Sequence, residues 1–173
     1  MSDLTRPDGI ESRHVHAGGT RLHAWPIGLV LFGLVLVVAG LGVFGARAAV
    51  SGAAAGVRLS VEGPKRIRSG EMFEMLFTVE TERAIRDAVL TVDPAIWKDV
   101  TVNTFMPQPA DERFEDGAFA FHFGALSPGS RLLVKVDGQI NPIYPPGPRD
   151  GTITLVDGAA TLVSVDYSIK VFP

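Results

Sequence analysis

Cysteine is absent from the 173 residues, which excludes disulfide staples, thiolate zinc sites, iron–sulfur clusters and a cysteine nucleophile. Positive charge is also in short supply: 16 Lys and Arg stand against 19 Asp and Glu, and the sequence offers no concentrated basic face. A chain without a basic face cannot displace the counterions of a phosphate backbone, so nucleic acid is not an expected partner. Histidine is scarce too. Beyond residue 23 only His122 remains, which leaves a Ser/His/Asp relay with a single candidate base. No glycine-rich phosphate loop leads from a strand into a helix. His14, His16 and His23 sit in a polar segment that is expected to be disordered, a poor framework for a metal. The expectation is a chain that is not an enzyme and takes no cofactor or metal.

Apolar sequence is plentiful, at 46% of the residues, and unevenly spread. From Ala24 to Ala46 the chain reads AWPIGLVLFGLVLVVAGLGVFGA, 23 residues without a charge. As a helix this run would span roughly 34 Å, so the sequence predicts a single transmembrane helix over 24–46 in contact with membrane lipid. Trp25 suits the headgroup level, Pro26 a first helical turn, and Arg21 and Arg47 bracket the run. Ala46-Arg47-Ala48 has the small-x-small form of a signal-peptidase site. The run is nevertheless longer than a signal core and follows a polar segment, so it is read as an uncleaved anchor.

The flanking basic residues nearly balance: Arg6, Arg13 and Arg21 on one side, Arg47, Arg58, Lys65 and Arg66 on the other. Because a short tail usually stays behind while a folded domain crosses, residues 1–23 are expected to be a disordered cytoplasmic tail and the bulk extracytoplasmic. Residues 47–56, small and flexible, are expected to form a tether. That leaves residues 57–173 to fold.

There the apolar residues alternate with period two. Phe73, Met75, Phe77 and Val79 share a face, and the pattern returns in Ala88–Val92, Val100–Val102, Phe119–Phe123, Leu132–Val136, Thr152–Leu155 and Val163–Val171. Turn residues fall between these runs, including Asp116-Gly117 and Asp157-Gly158. Seven or eight short antiparallel strands with no convincing helix imply an all-β sandwich. The proline-rich stretch 141–151 is expected to cross between sheets as a stiff loop.

The turn Arg68-Ser69-Gly70-Glu71 before an alternating strand, and Leu126-Ser127-Pro128-Gly129-Ser130 leading into Leu132, Val134 and Val136, carry a resemblance. They are similar to the immunoglobulin-like, adhesion-type β-sandwich domain of small bacterial proteins with one N-terminal membrane anchor. The resemblance covers roughly 57–173, implies that fold and a binding role, and brings no catalytic residues.

Candidate contacts follow from residue type. His122, opposite Phe121 and Phe123 in the alternation, reads as a surface histidine. Asp111, Glu112, Glu115 and Asp116 crowd enough carboxylates for calcium, but their spacing does not match an EF-hand, and the segment reads as a solvated loop. Trp97 lies between two strands, where it plugs the core or anchors a partner. Ile143 and Tyr144 in the proline-rich loop admit the same two roles. Trp97, Ile143 and Tyr144 are therefore the candidate partner contacts. The expected function is a membrane-anchored extracytoplasmic binding or scaffolding module that contacts a membrane or envelope protein. The alternative is an accessory subunit that packs its helix and domain against a multi-span membrane protein.

Overall fold

Strands with one apolar and one polar face need a second sheet to cover the apolar side. The computed structural model, which describes residues 24–41, 47–142 and 146–173, supplies it. Eleven strands are present among these residues: β1 Arg47–Ala54, β2 Val57–Pro64, β3 Arg66–Arg68, β4 Met72–Thr81, β5 Ala88–Val92, β6 Val100–Met106, β7 Asp111–Glu115, β8 Ala118–His122, β9 Arg131–Ile140, β10 Gly147–Asp157 and β11 Ala160–Phe172. One sheet has the order β1-β2-β4-β9-β6, the other β3-β11-β10-β5-β8-β7. The chain from β1 onward is thus the all-β sandwich that the alternation predicts. It is antiparallel except where β3 runs parallel to β11.

The core lies between the sheets. Leu59, Val61, Met75, Phe77, Val79, Val134 and Val136 come from the first sheet, and Leu90, Val92, Ile153, Leu155, Val165, Tyr167 and Ile169 from the second; all are buried. Each such side chain contributes about 1.5–3 kcal/mol by leaving water.

Several expectations are corrected. Residues 47–54 are not a tether but an edge strand, paired with β2 from Arg47↔Pro64 to Ala54↔Val57. Its small side chains allow this: a Cβ on Gly52 would stand 3.1 Å from the Ser164 carbonyl oxygen on β11, so only a slim strand fits there. Residues 47–54 therefore belong to the sandwich, and β1 covers the edge of β2. The acidic stretch is not a loop either, since Asp111–Glu115 pairs with β8 across the Asp116-Gly117 turn. Pro148 lies inside β10, where residues 147–152 have β11 as their one strand partner, the edge-like setting in which proline is tolerated.

Two helices are present among the described residues. The short α2, Pro94–Trp97, breaks the expectation of a helix-free domain; Asp93 caps it by accepting from the Ala95 N–H at 2.7 Å. It docks on β10 at Gly151, where a Cβ would come within 2.8 Å of Ile96. The other helix, α1, covers Ala24–Gly40, 17 of the 23 residues of the charge-free run. At roughly 26 Å it falls short of a hydrocarbon core of about 30 Å, and no helix among the described residues is long and apolar enough to cross a membrane. Residues 1–23 and 42–46 lie outside the described residues.

Candidate functional site

The two sheets are unequal, five strands against six, and the consequence appears at one side of the sandwich. Phe105 of β6 packs on Phe121 of β8 with ring centroids 4.8 Å apart, so β6 lies over β8. β7, one strand further out, has no strand above it among the described residues. Between β6 and β7 a groove of about 790 Å³ opens, lined by Trp97, Phe105, Phe114, Phe119 and Phe121 together with Asn103, Gln108, Glu112 and Arg113. This is a volume typical of ligand sites. A second depression of about 530 Å³, beside the β1–β2 turn, has no aromatic lining.

Trp97 forms the floor. It is only 5% exposed and touches Phe77, Phe105 and Phe121, with centroids 6.0, 6.2 and 5.3 Å away. The capped helix α2 and the left-handed Asp99 (φ 64°) after it hold the indole in place. Its Nε1–H is buried without an acceptor among the described residues. Trp97 thus shapes the groove from below and does not project from the surface. Phe114 does: it is 62% exposed and edges against Phe119 at 5.2 Å. Ile143 and Tyr144 lie outside the described residues.

The carboxylates of the acidic stretch are divided by the strand. On one face Asp111 holds the Arg113 Nε at 2.6 Å, and Glu115 stands 3.7 Å from His122 Nε2. On the other, Glu112 lines the groove. No group of three ligating side chains able to hold a metal ion occurs among the described residues. His122 is more enclosed than a surface histidine: its Nδ1 lies 2.8 Å from Asp87 Oδ2, and Asp87 also accepts from the Gly124 N–H at 3.1 Å.

Sequence reasoning missed Phe105, Phe114 and Phe119 as groove residues. A signal existed in Phe114, which is apolar amid four charged neighbours in DERFE.

No protein-family model and no curated protein matches the sequence. Among solved structures, the CARDB domain of a Pyrococcus furiosus protein in complex with di-metal ions is 12% identical, with 73% of this chain and 89% of that one covered at a TM-score of 0.42. The non-cellulosomal cohesin of Archaeoglobus fulgidus is 11% identical over 73% and 91%, with a TM-score of 0.36. The C-terminal domain of wzt is 12% identical over 72% and 78%, at 0.39. Overlaps this partial do not bear on what the chain does.

Proposed function

We propose that the chain is a non-enzymatic binding or scaffolding module of the immunoglobulin-like kind. It is held to a membrane by residues 24–46, with residues 1–23 cytoplasmic, and turns its groove toward a membrane or envelope protein. The observation that carries the reading is the aromatic groove beside β6, where Phe114 stands exposed on a framework of buried rings. Exposed aromatic side chains over a rigid floor are the usual anchors of protein contacts. Attachment is supported by the charge-free run of 23 residues and by the exposure of the large apolar side chains along α1, from Trp25 to Val37.

The test is site-specific photo-crosslinking of the full chain in intact cells, with the reactive side chain at Gln108, at Phe114 or, as a control, at Asp166 on β11. Adducts of one size at 108 and 114 but not at 166, on a membrane-bound chain whose C-terminal tag is digested only from outside, are the expected result. Equal labelling at all three positions, no labelling, or a chain free of the membrane would overturn the reading.

A further inference from the structure

Resting on that reading of the groove, we infer that it is a strand-addition site: an extended segment of a partner protein, apolar at alternate positions and carrying a lysine or arginine, pairs with the free edge of β6 and covers Phe114.

The inequality of the sheets creates the place. Because β6 lies over β8, the position above β7 is the one a sixth strand of the first sheet would take. Such a strand would run about 4.8 Å from β6 and about 10 Å from the second sheet, the spacing at which side chains from both sides meet. Phe114 and Phe119 already face each other across β7 and β8 and would form the wall that the added strand packs on.

The edges differ in how they are guarded. β3 is three residues long with an arginine at each end, and β7 carries four charges in five residues, both standard protections against strand pairing. β1 has its face packed on β11 at Gly52, opens with the charged Arg47, and is otherwise built of small residues apart from Val50, with no aromatic groove beside it. β6, Val-Thr-Val-Asn-Thr-Phe-Met, has no charge, pairs among the described residues with β9 alone, and leaves Met106 exposed. Its single irregularity is the bulge at Asn103.

Charge selects the occupant. Arg113 is engaged by Asp111, whereas the Glu112 carboxylate on the groove wall has no ion-pair partner among the described residues. A second copy of the chain adding its own β6 would bring no basic side chain to Glu112, since that strand has none. A partner segment with a lysine or arginine satisfies it, and β-augmentation supplies the main-chain bonds.

The experiment uses the full chain in lipid nanodiscs and a synthetic eight-residue peptide alternating valine with threonine or lysine. Hydrogen exchange should slow over residues 100–106 when the peptide binds. Of two versions N-methylated along opposite edges, one should bind like the parent and the other at least tenfold more weakly. Replacing the lysines by glutamate should weaken binding about tenfold, and Glu112→Lys should restore it. Slowed exchange over 112–121 with 100–106 unchanged overturns strand addition and leaves the groove as a binding surface. No peptide binding alongside crosslinks at 114 overturns this inference alone, whereas absence of both removes the groove reading as well. Protection of 100–106 in a peptide-free dimer, or tighter binding of a soluble glucose hexasaccharide, assigns the slot to another occupant and overturns the proposal.

Discussion

The hydroxyl of Tyr167 on β11 donates to the carbonyl of Pro64 on β2 at 2.8 Å, tying the two sheets together. The ring is 1% exposed, and burial pushes the phenol above its ordinary range, so it remains a donor throughout the physiological span. Gly63 makes room for it, because a Cβ there would stand 2.6 Å from the Tyr167 oxygen. Tyr167→Phe is expected to cost about 0.5–1.5 kcal/mol by removing the hydrogen bond to the half-buried Pro64 carbonyl. Gly63→Ala should be destabilising in the native background and milder in Tyr167→Phe, where the nearest Tyr167 atom left is 3.4 Å away. Urea denaturation of the four variants measures that coupling; strict additivity would contradict it.

Two hairpins share a backbone shape but not a sequence. Ala55-Gly56 and Asp116-Gly117 both have two successive positive φ values, 50° and 76° in the first and 50° and 77° in the second. Asp-Gly suits this turn and alanine does not. Ala55→Asn is therefore expected to stabilise the protein by about 0.5–1 kcal/mol, and Asp116→Ala to lose a similar amount, both read from thermal midpoints.

On the outer face of the first sheet Glu74 stands directly opposite Asp137, and Lys135 relieves the pair from 2.7 and 3.5 Å. Its hydrogen bond is the main cause holding the Glu74 carboxyl below the usual carboxylate range, with Arg47 at 3.2 Å assisting; Glu74 in turn raises Lys135. A depressed carboxylate contributes stability above its unfolded pKa and loses it as pH falls through the folded one. Glu74→Gln should thus be less stable than the native chain near neutrality, and the gap should close in strong acid. Urea midpoints taken from neutral to about pH 2 follow it; a gap constant with pH would mean that packing, not charge, had been lost.

Asp157 holds the segment after β4. Its Oδ1 accepts from the N–H groups of Arg86 and Asp87 at 3.1 and 3.2 Å, and Asp87 goes on to grip His122. Asp157→Ala should cost about 1–3 kcal/mol and speed hydrogen exchange over 82–87 and 122–124, while Asp157→Asn, which keeps an acceptor, should lose less.

The sandwich was legible because alternation in Phe73–Val79 and Val163–Val171 is a direct imprint of burial. The strands that escaped notice lacked that imprint for identifiable reasons. β1 is built of alanine, glycine and serine, whose side chains are too small to report a face; β3 is too short to alternate; β7 is charged because it is an edge. The groove was hidden for another reason. It arises from the offset between sheets, so residues as far apart in sequence as Trp97, Phe105 and Phe119 share it only after the strand order is known.

β11 sits between β3 and β10 in the second sheet, although it follows every other strand in the sequence. Synthesis therefore imposes a timetable. β1, β2, β4, β6 and β9 have all emerged before β10 begins, so the first sheet can assemble while the second still lacks an inner member. Until residues 160–172 arrive, β3 has no partner, β10 offers a bare flank to proteases and to other chains, and Tyr167 is not yet there to lock the layers. The two-residue hairpin between Asp157 and Ala160 keeps that interval short, because β11 follows β10 directly.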